Sequence, residues 1–92
     1  MKVVINRRFG GFGLSDQARQ LYAETKGIDP EEVYDWEIER DDADLIRIVE
    51  QLGKQADGRC ADLKVVEIPD GVKWYVHEYD GLEDVREGRI WS

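Results

Sequence analysis

Glycine and proline cut this chain into short pieces. Gly10, Gly11 and Gly13, then Gly27, Pro30, Gly53, Gly58, the triplet Pro69-Asp70-Gly71 and the pair Asp80-Gly81 leave room only for helices of a few turns and strands of a few residues. Within each piece the spacing of apolar residues assigns the element. Val3 to Asn6 is a β-branched run too short for a helix and reads as a first strand. Ser15 stands where an N-cap belongs, Asp16 follows in the first turn, and Ala18, Leu21, Tyr22 and Thr25 recur at helical spacing up to Gly27, which predicts a helix over 16–26. Asp29-Pro30-Glu31-Glu32 has the form of a cap followed by proline at the first helical position and predicts one short helical turn.

From Tyr34 to Arg40, Tyr34, Trp36 and Ile38 alternate with Asp35, Glu37 and Glu39, the pattern of a second strand with one wet face. Asp41 or Asp42 caps the next segment, where Leu45, Ile48, Val49 and Leu52 trace one helical face and Gly53 ends it; Lys54 to Asp57 would be a frayed last turn. Leu63 to Ile68 and Val72 to Tyr79 read as two strands joined at Pro69-Asp70-Gly71, so a hairpin is expected between them. Leu82 to Ser92 has too few periodic apolar residues to predict an element, although Ile90 and Trp91 are expected to pack back. The order near β-α-β-α-β-β predicts a single α+β domain over residues 1–92, with about four largely antiparallel strands and two helices on one face.

At 92 residues the core is near the lower end of what folds alone, so a substantial ligand site is expected at the surface or between subunits. The net charge is −8 and the mean hydropathy −0.60, yet three Trp, four Tyr and two Phe supply enough large apolar groups to argue against disorder. Cys60 is the sole cysteine. It closes no internal disulfide and has no second thiol for a zinc site, which places the expected home in a reducing compartment, the cytoplasm, with no metal and no cofactor. Val3-Val4-Ile5 stops at Asn6-Arg7-Arg8, far short of a signal-peptide core or a membrane span, so no membrane association is expected.

Two features carry chemistry. The first is the run from Asn6 to Ser15, a strand, a glycine-rich loop and a capped helix start. Arg7, Arg8, Gly10, Gly11, Gly13 and Ser15 could cradle an anion, because glycines admit close approach, helix-start N–H groups point outward, and guanidinium groups fork onto phosphate oxygens. The run is neither a P-loop nor a dinucleotide fingerprint, and its plainer reading is a tight turn that Phe9 and Phe12 anchor to the core. The second is charge distribution. Residues 1–28 carry +3, residues 29–50 carry ten acidic and two basic groups for −8, and residues 51–92 carry −3. Glu31, Glu32, Asp35, Glu37, Glu39, Asp41, Asp42 and Asp44 therefore form an acidic stretch that repels nucleic acid and attracts basic surfaces, presenting carboxylates where phosphates would lie. Its plainer reading is solubilising charge.

The remaining candidates are weaker. Carboxylates are too abundant for spacing to nominate an acid and a base. His77, the only histidine, has no nucleophile or metal ligand near it in sequence and reads as structural. Arg59 beside Cys60 favours a thiolate, but a buried or half-buried spacer is the expectation. Trp36 and Trp74 are expected in the core, with Trp91 there or at a subunit interface.

Lys2-Val3-Val4-Ile5-Asn6-Arg7 followed by Gly10-Gly11-Phe12-Gly13-Leu14-Ser15 resembles the opening of a family of small proteins encoded by bacteriophages and prophages. Arg40-Asp41-Asp42 before Leu45, Val49-Glu50-Gln51-Leu52-Gly53, Val66-Glu67-Ile68-Pro69-Asp70, and Trp74 with Glu78-Tyr79-Asp80-Gly81 extend the resemblance over nearly the whole chain. It carries no settled activity, ligand or catalytic residue. It implies an accessory protein in a bacterial host cell, of the kind that blocks a host-defence protein or sequesters its nucleotide signal. Arg8-Phe9 stands where relatives have Cys-Tyr or Cys-Phe, so no role resting on a cysteine there carries over.

The leading expectation is thus a non-enzymatic binder whose Glu31, Glu32, Glu37, Glu39, Asp41, Asp42 and Asp44 engage and inhibit a basic protein, without direct nucleic-acid binding. The alternative is a binder of a phosphate-bearing nucleotide at the glycine loop. A homo-oligomer is compatible with either.

Overall fold

The computed structural model describes residues 1–88. Strand β1 (Lys2–Asn6) is followed by helix α1 (Asp16–Lys26), two 3₁₀ turns (Pro30–Glu32 and Asp35–Glu37), helix α2 (Ala43–Leu52) with a 3₁₀ extension (Gly53–Ala56), and strands β2 (Leu63–Glu67), β3 (Trp74–Tyr79) and β4 (Leu82–Glu87). Two helices and four antiparallel strands make a small α+β fold, as expected.

Both helices start and stop on their own sequence signals. The Ser15 hydroxyl accepts from the Ala18 N–H at 3.1 Å, and Gly27 closes α1 in the left-handed conformation, φ 72°. Asp42 caps α2 by accepting from the N–H groups of Asp44 and Leu45 at 2.8 and 3.2 Å. The predicted turn at Pro30 is also present, capped by Asp29, which accepts from the Glu31 N–H at 2.9 Å.

The order of elements differs from expectation in two places. Residues 34–40 form no strand. Glu37 and Ile38 donate backward to the carbonyls of Tyr34 and Asp35, and the alternation is inverted in its first half, where Asp35 is half-buried while Trp36 is 79% exposed. The cause is Asp35, whose carboxylate accepts from the Leu14 N–H at 3.1 Å and pairs with Arg19 at 3.1 Å, turning the polar residue inward and the indole outward. Val33 and Ile38, not Tyr34 and Trp36, are the core contacts of this segment.

The expected pairing of 63–68 with 72–79 is likewise replaced. β2 pairs with β1, Lys2 opposite Glu67 and Asn6 opposite Leu63, because Val3, Val4 and Ile5 are buried there. β3 instead pairs with β4, Trp74 opposite Glu87 and Tyr79 opposite Leu82, across the two-residue turn Asp80-Gly81. Both turn residues have positive φ, 52° and 88°, the geometry whose twist suits a tight hairpin. The fourth strand is therefore Leu82–Glu87, in a stretch where no element was predicted.

The core is unevenly shared. α1 packs on α2, and α2 on the β1–β2 pair, around Val4, Ala18, Tyr22, Leu45, Ile48 and Leu63. Among the described residues every buried apolar side chain lies between Val3 and Ile68. The β3–β4 hairpin contributes only Gly81 and Glu83 to the buried set, and Trp74, expected in the core, is half-buried. Ile90 and Trp91 lie outside the described residues.

Candidate functional site

The glycine-rich loop is a crossing point of three backbone segments. A Cβ on Gly81 would lie 2.7 Å from the Gly11 Cα, and one on Gly58 would lie 2.7 Å from the Gly13 carbonyl carbon, so these glycines are required by close approach. The loop's polar groups face the same neighbours. The N–H of Gly10 donates to the Asp80 carbonyl at 3.0 Å, that of Leu14 to Asp35, and that of Ser15 to the Ala56 carbonyl at 2.9 Å. Ser15 Oγ donates to the Gln55 carbonyl at 2.6 Å, and Arg7 Nη1 to the Glu83 carbonyl at 2.6 Å. The residues nominated as an anion cradle are thus brought together with the hairpin turn and the 55–58 segment, while Arg8 is exposed. Phe12 packs against the core and Phe9 is 60% exposed, so only one of the two phenylalanines anchors the loop.

Beneath this joint sits a network that local sequence patterns do not reveal. Glu83, 4% exposed, makes a two-point ion pair with Arg40, with Oε2 accepting from Nη2 at 2.8 Å and Oε1 from Nη1. Glu83 Oε1 also accepts from the Asn6 N–H at 2.9 Å. The Asn6 side chain, fully buried, donates to the carbonyls of Arg8 and Gly81 at 2.7 and 2.6 Å and accepts from the Asp62 N–H at 2.8 Å. Arg40 stacks on Phe12 at 3.7 Å from the ring centroid. These groups come from five separate places in the chain, and their chemistry is attachment: they fasten the hairpin to the body.

The acidic stretch divides into two kinds of carboxylate. Asp42 and Asp44 are engaged within the chain. Lys26 Nζ lies 3.2 Å from Asp42 and 2.9 Å from Asp44, and Arg47 pairs with Asp44 at 3.1 Å. The Tyr22 hydroxyl donates to Asp42 at 2.9 Å. Burial, reinforced by that bond, pushes the Tyr22 hydroxyl up to about 12, and the bonds to Asp44 and then Asp42 push the Lys26 ammonium up to about 12. Burial alone would raise the Asp42 pKa, but the bonds from Tyr22, the Leu45 N–H, Lys26 and the Asp44 N–H outweigh it and hold the carboxyl below its ordinary value.

Glu31, Glu32, Glu37, Glu39 and Asp41 are exposed, and among the described residues none of them makes an ion pair. Large exposed side chains stand beside them: Ile28 at 41%, Tyr34 at 44% and Trp36 at 79%. The rings of Tyr34 and Trp36 are 5.1 Å apart, tilted by 35°. A cleft of about 230 Å³ opens here, with the buried Val33 and Ile38 in its lining, Tyr22 and Tyr34 at its sides, and Glu32, Glu37 and Glu39 among its polar groups. Tyr34 and Trp36 are the two aromatic residues of this surface that the alternation assigned to the buried face, and the acidic residues on either side of Trp36, Asp35 and Glu37, are the signal that spoke against it.

The other candidates fall elsewhere. His77 pairs across the hairpin with Asp84 at 3.6 Å, both side chains nearly half exposed. Cys60, expected buried or half-buried, is exposed, because the tight turn closed by the Ala61 N–H on the Gly58 carbonyl carries it outward. No group of three His, Cys, Asp or Glu among the described residues could hold a metal ion, and no described helix is long and apolar enough to cross a membrane. No protein-family model matches the chain, and no curated protein or solved structure matches it either.

Proposed function

We propose that this protein acts by binding, as a phage-type accessory factor that engages and inhibits a basic protein through the surface from Glu31 to Asp41. The observation that carries this reading is the set of five exposed carboxylates that pair with no cation among the described residues, in the same stretch of chain as the exposed pair Tyr34 and Trp36. Solubilising charge alone accounts for the carboxylates but not for two large aromatic rings held in water among them. Interfaces, by contrast, are anchored by Tyr and Trp and steered by complementary charge. A protein whose basic surface normally receives phosphates is the partner class this face fits. The sequence resemblance to phage-encoded proteins supports an accessory role of the same kind.

Affinity capture from a bacterial extract, with the wild type and an E31K/E32K/E37K/E39K variant as baits, tests the reading. The wild type is expected to retain a basic protein with a yield that falls as salt is raised, and the variant to lose it while its melting temperature stays close to wild type. Equal retention by both baits would refute the proposal.

A further inference from the structure

Resting on that reading, we infer that the cleft beside Tyr34 seats one arginine side chain of the basic partner. Its size selects the kind of occupant. At about 230 Å³ it falls below the roughly 300–1,000 Å³ of clefts that bury whole small molecules, and matches a single long side chain entering from a protein surface. Its lining selects the chemistry. Buried Val33 and Ile38 receive an aliphatic stem, the Tyr34 ring offers a face to a planar cation, and Glu32, Glu37 and Glu39 supply acceptors only.

Several acceptors around one aromatic face suit a guanidinium better than an ammonium. The guanidinium has five donors in a fixed fork, stacks on rings, and is the more weakly hydrated of the two. The molecule already holds a cation in the same surroundings. At the Asp42 end of the cleft, Lys26 lies 5.4 Å from the centroid of the Tyr22 ring and bridges Asp42 and Asp44. That internal lysine neutralises Asp42, and the three glutamates, which pair with no cation among the described residues, are left for the incoming side chain. Trp36, packed on Tyr34, extends the aromatic surface over which the partner chain would run.

The experiment is an amide-resolved NMR titration with three blocked tripeptides, Gly-X-Gly, in which X is arginine, lysine or the uncharged isostere citrulline. A deca-lysine peptide reports on the acidic surface as a whole. The arginine peptide is expected to shift amides of residues 32–39 and to bind several-fold more tightly than the lysine peptide, with citrulline silent. Tyr34→Ala is expected to weaken arginine binding by about two- to fivefold, the size of an exposed cation–π contact, and Glu37→Gln with Glu39→Gln to weaken it further. Deca-lysine binding should survive Tyr34→Ala.

If deca-lysine binds through residues 31–41 but arginine and lysine peptides are indistinguishable, or Tyr34→Ala changes nothing, the arginine seat is wrong and the acidic surface stands. If neither deca-lysine nor the arginine peptide perturbs these residues, both readings fall together.

Discussion

At the hairpin joint, Glu83 is 4% exposed and its carboxylate is held by Arg40 and the Asn6 N–H. On the surface from Glu31 to Asp41, five carboxylates face water and make no ion pair among the described residues. The same kind of side chain serves opposite ends in the two regions. A carboxylate taken out of water is costly unless it is paired, so the joint depends on every one of its partners. A carboxylate left in water contributes little to folding, so its placement answers to something outside the chain or to solubility. Asp42 and Asp44 stand between these extremes, partly buried and bridged by Lys26.

Breaking the joint should have the largest effect. Glu83→Ala leaves Arg40 without its counter-ion in a largely buried setting and removes the acceptor of the Asn6 N–H, so urea unfolding should show a loss of about 3–5 kcal/mol. Replacing both members, Arg40→Met with Glu83→Leu, should cost clearly less than the single change, since no charge is then stranded. A Glu83→Ala loss below about 1 kcal/mol, the scale of a surface pair, would place the joint in the same class as the acidic face.

Asp42 gives the intermediate case. Its folded pKa is lowered, so its contribution is present above the unfolded value near 3.8 and is lost as pH falls through the folded value. Asp42→Asn should therefore cost about 1.5–3 kcal/mol at neutral pH, the scale of hydrogen bonds to a charged group. The gap between variant and wild type should narrow as the pH drops below about 4. A pH-independent gap would mean that packing, not charge, is what the aspartate supplies.

The smallest effect belongs to the exposed face. Glu31→Lys with Glu32→Lys should change unfolding free energy by no more than about 0.5 kcal/mol, as surface substitutions away from special contacts do. A loss well above that would show that these carboxylates are structural and would erase the contrast with Glu83.

Much of the local structure was legible before the fold was known. Ser15, Gly27, Asp42 and Gly53 bound the two helices because a cap acts on the next few residues and needs nothing distant. The same locality made Asp29-Pro30 readable as a turn. Residues 34–40 misled because the alternation of aromatic and acidic groups imitates a strand, whereas Leu14 and Arg19, distant in sequence, turn Asp35 inward. The candidate site was legible as a concentration of charge in residues 29–50. Its internal division was not, since Lys26 selects Asp42 and Asp44 from a position on another helix.

By itself the sequence determined the fold class, the ends of both helices and the acidity of one stretch, because caps, periodicity and charge are properties of neighbours. Tertiary structure decided that β2 joins β1 and not β3, that Glu83 meets Arg40, and that Lys26 engages Asp42 and Asp44 while Glu31, Glu32, Glu37, Glu39 and Asp41 make no ion pair among the described residues. Those outcomes depend on contacts between distant segments. Their stability is settled only once loop closure, burial and pairing are weighed over the whole chain.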